Sequence, residues 1–322
     1  MRQIILESPG KFAERIVPEA SAAQGHAVVK IERIGLCGSD FHAFAGRHPI
    51  YTYPRVIGHE LSGVVVEVEE NDRGIRKGDR CAIEPYIRCG ACRACAKGRN
   101  NCCEHLQILG IHVDGGMQEL LSVPISLLHK SVVLTLDQLA LVEMLGIGAH
   151  AVARSGLKDG GEAMIVGAGP IGMAVAQFAS ALGVHVHLVE KIEWRRAFAE
   201  RMGYPTSPTA ADRQADVVFD ATGNALAMAA SLDCVAPGGS LVYVGLTSEP
   251  VSIDDSLFHR KEVTLLASRN SLGQFPRIIR LIEEGKIDTA HWITDRLRLS
   301  DVMTTFESLL ARPNVMKAVV EL

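Results

Sequence analysis

The chain has 322 residues, enough for two domains, and 48% of them are hydrophobic, which is ample for ordinary globular cores. A formal net charge of −4 gives no broad positive field for nucleic acid or an anionic membrane surface. Eight cysteines and no recognisable secretory signal lead us to expect a reducing, cytoplasmic setting, where thiols hold metals rather than disulfides.

Up to about residue 145, short β-branched runs alternate with glycine, and residues 27–34, 61–68 and 80–83 read as strands. Between the first two lie Gly35-Leu36-Cys37-Gly38-Ser39-Asp40-Phe41-His42 and Gly58-His59-Glu60. Singly these are weak signals, because a lone cysteine is usually a small buried apolar residue and a lone histidine a satisfied one. Together a soft thiolate, an imidazole and a carboxylate make a donor set for a catalytic Zn²⁺ with one position open.

Next comes the most specific local pattern, Cys89-x2-Cys92-x2-Cys95-x7-Cys103. Two-residue gaps let successive thiolates turn inward onto one ion, and four sulfurs fill the tetrahedral shell that Zn²⁺ prefers. Such a closed shell is structural, with no position left for a substrate. Disulfides are the competing reading, and Cys102 beside Cys103 means that one cysteine is surplus. The spacing is too tight for two relaxed disulfides.

The middle of the chain changes character. Residues 163–166 form a short apolar strand, followed by Gly167-Ala168-Gly169-Pro170-Ile171-Gly172 and a helix of small and apolar residues through 182. The apolar stretch 163–184 is nearly long enough to cross a bilayer, but it holds four glycines, a proline and Gln177, so a buried strand, turn and helix explain it better. Further apolar runs at 184–189, 216–219, 240–244 and 263–267 alternate with helical sequence such as 225–235. That alternation predicts a parallel sheet covered on both faces.

In this context the glycine turn reads as a dinucleotide site. Its first glycine makes the tight turn, the second admits a pyrophosphate, and the third lets helix and strand pack, with the helix N-terminus facing the phosphates. Glu190 follows the next strand, eighteen residues past Gly172, where a carboxylate can hydrogen-bond ribose hydroxyls and repel a 2′-phosphate. NAD is therefore expected over NADP, a preference softened by Lys191, Arg195 and Arg196. Toward the end, 275–284 reads as an amphipathic helix and 317–322 as a last strand.

The order and spacing of these motifs resemble zinc-dependent medium-chain dehydrogenases over essentially the whole chain. Tyr53-Pro54-Arg55-Val56-Ile57-Gly58-His59-Glu60 and Ala267-Ser268-Arg269-Asn270-Ser271 are most similar to the sorbitol, threonine and sugar-acid branch, including L-galactonate 5-oxidoreductases. The resemblance implies an α/β fold: a Rossmann doubly wound parallel sheet plus a β-rich GroES-like catalytic domain carrying the zinc lobe. It places the catalytic domain at 1–145 with the lobe at about 86–106, the NAD-binding domain at 146–270, and a C-terminal return to the catalytic domain at 271–322. It implies two Zn²⁺ per chain, one held by Cys37, His59 and one or both of Glu60 and Glu143, the other by Cys89, Cys92, Cys95 and Cys103. Asp40 is expected to orient the zinc histidine, and Ser39 and His42 to form a proton relay beside the catalytic Cys37, His59 and Glu60.

The cofactor is expected on Gly167, Gly169, Pro170, Ile171, Gly172, Glu190, Lys191, Arg195, Thr222, Gly245 and Arg269. The implied reaction is reversible oxidation of a secondary alcohol of a polyol or sugar acid to a ketone with hydride transfer to NAD. The alternatives are a threonine-type or simple alcohol dehydrogenase, or a catalytically silent binding protein on the same fold. A homodimer or homotetramer with a small-molecule substrate, no nucleic acid and no membrane is expected. Two departures stand out. Residues between Gly203 and Asp216 look shortened, and aromatics are scarce at 5%, which suits polar groups such as Arg47, His48, Tyr51 and Arg269, with Phe41, at the mouth of the site.

Overall fold

A computed structural model describes residues 1–310, 312 and 314–322. The chain forms two units. The first comprises Met1–Glu143, Phe275–Glu284 and Thr289–Leu322, and the second Met144–Gln274 with Gly285–Asp288.

The first unit is built on a mainly antiparallel sheet. Its strands run in the order Ile293–Arg298, Lys317–Glu321, His26–Gly35, Glu60–Val68, Arg80–Ile83 and Leu128–Lys130, with Leu120–Pro124 also paired to His26–Gly35. Strand His26–Gly35 mixes β-branched and charged residues, and Val29, Ile31 and Ile34 are buried with Leu61, Val65, Ile83 and Val320 in one apolar cluster. The end of this strand meets the start of the next: Gly35 pairs with Glu60. A Cβ on Gly35 would lie 2.2 Å from Glu60 Oε2, so only glycine leaves room for that carboxylate. An N-terminal hairpin, Arg2–Ser8 with Lys11–Ile16, has a mostly exposed second strand and therefore no alternating pattern to reveal it. The Phe41 ring lies at a tilt of 39° with its centroid 4.8 Å from that of Phe306, with Phe12 and Phe44 nearby, so it packs, partly buried, against the core rather than standing at an open mouth.

The second unit holds a six-stranded parallel sheet. Its spatial order is Thr206–Ser207, His185–Val189, Glu162–Val166, Ala215–Asp220, Val235–Tyr243 and Thr264–Ala267. Numbered by sequence this is 3-2-1-4-5-6, the doubly wound order, whose direction reverses between Glu162–Val166 and Ala215–Asp220. Helices Pro170–Ser180, Glu193–Arg201, Ala225–Ala230 and Asp255–Arg260 connect strands. The third strand has shrunk to two residues, and no helix stands between it and the fourth, which is where the sequence looks shortened. Helical sequence over 225–235 ends sooner than its composition suggests: a short helix gives way to a 3₁₀ turn at Ser231–Cys234 and the strand begins at Val235. Gln177, the polar residue inside the apolar stretch, exchanges hydrogen bonds of 2.7 and 2.9 Å with the backbone of Asp288. Among the described residues no helix is long and apolar enough to cross a membrane.

Candidate functional site

In the first unit the turn after strand His26–Gly35 carries Cys37 into helix Gly38–Phe44, and strand Glu60–Val68 begins beside it. The donor atoms of Cys37, His59 and Glu60 all fall within 4.8 Å of one another. The backbone explains how. The amide of Cys37 donates to Asp40 Oδ2 at 2.9 Å, so the first turn of the helix fixes the acid, and Asp40 Oδ1 stands 3.7 Å from His59 Nδ1. At that distance the acid faces Nδ1 as an ion-pair partner without a hydrogen bond, and Nε2 is left for an ion, as metal-bound imidazoles require. Ser39 Oγ lies 3.5 Å from the same Nε2. His42 is exposed on the helix.

The electrostatics suit a cation. Burial alone would lower the basicity of His59, but Asp40 and Cys37 outweigh it and hold the imidazole well above its ordinary value. Burial raises the Asp40 carboxyl and that of Glu143. Glu143 stands outside the group of three and accepts a hydrogen bond from the Tyr86 hydroxyl. A further residue, which no motif in the sequence singles out, completes the cluster. Lys317 is buried, reaches both oxygens of Glu60 at 2.7 Å, and also donates to the carbonyl of Leu36 at 3.1 Å. The nearby carboxylates and Cys37 raise its pKa although burial works against them. Its only signal in the sequence is a lysine directly before the apolar run 318–320 of strand Lys317–Glu321. A thiolate, an imidazole and a carboxylate at this separation fit a zinc ion with room for an exchangeable ligand.

The four cysteines of the lobe also converge. Cys89, Cys92, Cys95 and Cys103 have their sulfurs within 4.8 Å of one another, and no disulfide forms among the described residues. The Sγ atoms of Cys103 and Cys89 are 3.5 Å apart, and those of Cys92 and Cys103 are 3.9 Å apart. A tetrahedron with Zn–S bonds of about 2.3 Å has edges of about 3.8 Å, whereas a disulfide needs about 2.05 Å. The donor set therefore fits zinc. Backbone N–H groups, including that of Glu104 at 3.4 Å, lower the Cys92 thiol to about 6, which favours the thiolate a metal requires. Cys102 is exposed and outside the cluster, so it is the surplus cysteine.

In the second unit the glycine turn joins strand Glu162–Val166 to helix Pro170–Ser180 at the point where the sheet reverses its order. Gly167 has φ 95°, a left-handed conformation, and a Cβ on Gly172 would come 1.8 Å from the Gly167 carbonyl oxygen. That contact is the close helix–strand packing the third glycine permits. Gly169 is the N-cap, with Pro170 and Ile171 opening the helix. Glu190, buried after strand His185–Val189, accepts hydrogen bonds of 2.9 Å from the amides of Ala168 and Ile192. Its carboxylate thus braces the glycine turn, with Arg195 3.8 Å away. Arg196 is turned inward, donating to the carbonyls of Glu190 and Lys191, while Lys191 is exposed. Thr222 donates to Asp220 Oδ1 at 2.7 Å just past strand Ala215–Asp220, and Gly245 packs so closely that a Cβ would meet the Gly223 nitrogen at 2.3 Å. Arg269 is exposed just past strand Thr264–Ala267.

Comparison with known proteins agrees with both units. Residues 23–133 match the alcohol dehydrogenase GroES-like domain, and residues 170–284 match the zinc-binding dehydrogenase domain. L-galactonate-5-dehydrogenase of Escherichia coli strain K12 is 36% identical, covering 95% of this chain and 94% of that protein. Two solved structures superpose over the full chain. An alcohol dehydrogenase of E. coli CFT073 complexed with NADH gives a TM-score of 0.93 at 27% identity, with 100% of this chain and 99% of that one covered. A zinc-binding dehydrogenase of Sinorhizobium meliloti bound to NADP gives 0.92 at 30% identity, with the same coverage.

Proposed function

The chain belongs to the zinc-dependent medium-chain alcohol dehydrogenases, and from that premise we propose that it oxidises a secondary hydroxyl of a polyol or sugar acid reversibly to the ketone, with NAD as hydride acceptor. The observation that carries this reading is the convergence of Cys37, His59 and Glu60 within 4.8 Å in a pocket of charge set by Asp40 and Lys317. L-galactonate-5-dehydrogenase, the relative at 36% identity, supports a sugar acid as the substrate class.

Cys37 and His59 would hold the reactive zinc, with Glu60, Glu143 or both completing its shell. Cys89, Cys92, Cys95 and Cys103 would hold a second, structural zinc. When bound, the first ion supplies Lewis acidity that brings a coordinated hydroxyl's pKa toward about 7, and the dinucleotide accepts hydride. The protein's own residues do the rest. Ser39, 3.5 Å from His59 Nε2, would accept the proton of the substrate hydroxyl while giving up its own toward exposed His42, which would release it to solvent. Asp40 keeps the His59 ring in one orientation. Lys317 neutralises Glu60 whenever that carboxylate is not on a metal.

NAD is favoured over NADP because the Glu190 carboxylate sits beside the glycine turn, where a 2′-phosphate would be repelled. Arg195, the basic side chain at 3.8 Å, is the counterweight. The protein is expected to work in the reducing cytoplasm, in keeping with its free thiols, as a homodimer or homotetramer measurable by sedimentation. The deciding experiment is a panel of aldonates, polyols, amino-acid alcohols and simple alcohols with NAD and with NADP, following nicotinamide reduction. Turnover confined to simple primary alcohols would overturn the substrate class, and no turnover on any member would favour a silent binding protein.

A further inference from the structure

Tyr86 belongs to two structures at once. Its ring is buried in the apolar cluster of the cysteine lobe with Cys103, Leu106, Ile108 and Ile111, and Cys92 and Cys95 pack against that cluster. Its backbone lies in strand Tyr86–Ile87, paired with Gln107–Ile108 of the same lobe. Yet its hydroxyl leaves the lobe and donates to Glu143 Oε1, in a contact buried on both sides. Glu143 in turn lies within electrostatic reach of His59, Glu60 and Lys317.

We propose that Tyr86 is a positioning residue for the reactive metal centre, its hydroxyl fixing the orientation of the Glu143 carboxylate from a ring anchored in the cysteine lobe. The inference rests on the reading that Glu143 serves the metal shell. Among the described contacts the buried Glu143 carboxylate has the Tyr86 hydroxyl as its hydrogen-bond donor, so that donor decides which way its oxygens face. With Oε1 tied to Tyr86, the carboxylate is held near the group of three without collapsing onto Lys317, which is already committed to Glu60. The lobe's four-sulfur site then has a duty beyond its own folding, because the ring that steers Glu143 packs against the residues carrying those sulfurs. Nothing in the spacing of the cysteines announces this link.

Tyr86→Phe tests it, since phenylalanine keeps the ring and the lobe's packing and deletes only the donor. The protein is loaded with cobalt(II), and retention at the mixed site is measured by chelator competition together with the visible absorption of that site. Outer-shell partners of metal ligands typically contribute 10–100-fold in affinity, so retention is expected to weaken by about that factor with a changed spectrum. The sulfur-to-cobalt absorption of the lobe should stay as in the parent, showing that the lobe is intact. An unchanged affinity and spectrum at the mixed site would overturn the proposal. Glu143→Gln separates the two readings. If it retains cobalt as tightly as the parent, Glu143 does not serve the shell and the role of Tyr86 falls with it. If Glu143→Gln weakens retention and Tyr86→Phe does not, only the positioning role is lost.

Discussion

Lys317 holds both carboxylate oxygens of Glu60 at 2.7 Å, and neither side chain is more than a few per cent exposed. A buried ion pair of this kind is costly to break from one side, because the partner left behind has no water to solvate it. Lys317→Met should therefore destabilise the metal-free protein by about 3–5 kcal/mol. A zinc ion beside Glu60 supplies the missing positive charge, so the loss should be clearly smaller in the zinc-loaded protein. Urea denaturation of both forms checks this. Equal losses with and without zinc would mean that Glu60 never reaches the metal.

The two donor sets predict two zinc ions with unequal consequences. Cys92→Ser should lower zinc content by one and stability with it, since structural zinc binding amounts to about 10–16 kcal/mol of apparent folding energy in isolated zinc-finger peptides. Cys37→Ser should abolish turnover while leaving far-ultraviolet dichroism and the cysteine-lobe metal in place. Elemental analysis of active parent protein that finds one zinc or none would remove the two-site account.

Glu190 braces the glycine turn and, in the proposed function, would also meet the cofactor ribose. Glu190→Ser removes two buried acceptor contacts, to the amides of Ala168 and Ile192, and should raise the KM for NAD roughly tenfold. The loss with NADP should be smaller, so the ratio of kcat/KM for the two cofactors narrows. A parent protein that already uses NADP more efficiently would show that Arg195 dominates the site.

Asp137 gives a pH-dependent prediction in the first unit. Burial alone would raise its carboxyl, but hydrogen bonds and charge from Arg296 and Arg33 prevail and hold it below the ordinary value. A depressed folded-state pKa adds stability that is fully present above the unfolded value near 3.9 and is lost as pH falls through the lowered folded value. Asp137→Asn should cost about 1 kcal/mol at neutral pH, and the difference from the parent should close as the pH drops below about 4. A difference that stays constant into acid would show that the two arginines do not act through the charge.

What can be read from the sequence is what short spacings encode. The cysteine lobe and the glycine turn each lie within a few residues of chain, so their geometry follows from local backbone, and the order of motifs identifies both units. Lys317 cannot be read, because it lies 257 residues from Glu60 and meets it only when strand Lys317–Glu321 pairs with His26–Gly35. Tyr86 is hidden for a related reason: its polar end serves Glu143, 57 residues away, while its ring looks like ordinary core. Phe41, expected at the mouth of the site, packs its partly buried ring on Phe306, a partner 265 residues away that no local spacing announces.

The same separation sets an order of events during synthesis. The stretch bearing Cys37, His59 and Glu60 emerges early, whereas Lys317 follows Glu60 by 257 residues. At about 5–20 residues per second, roughly 13–50 s pass between them. Throughout that interval the strand His26–Gly35 lacks one of its neighbours, and the nascent carboxylate of Glu60 lacks its ammonium. Any ion captured then binds a more anionic and less rigid cluster than the finished one. The closing strand thus completes the charge balance of this cluster last, when Lys317 reaches both oxygens of Glu60.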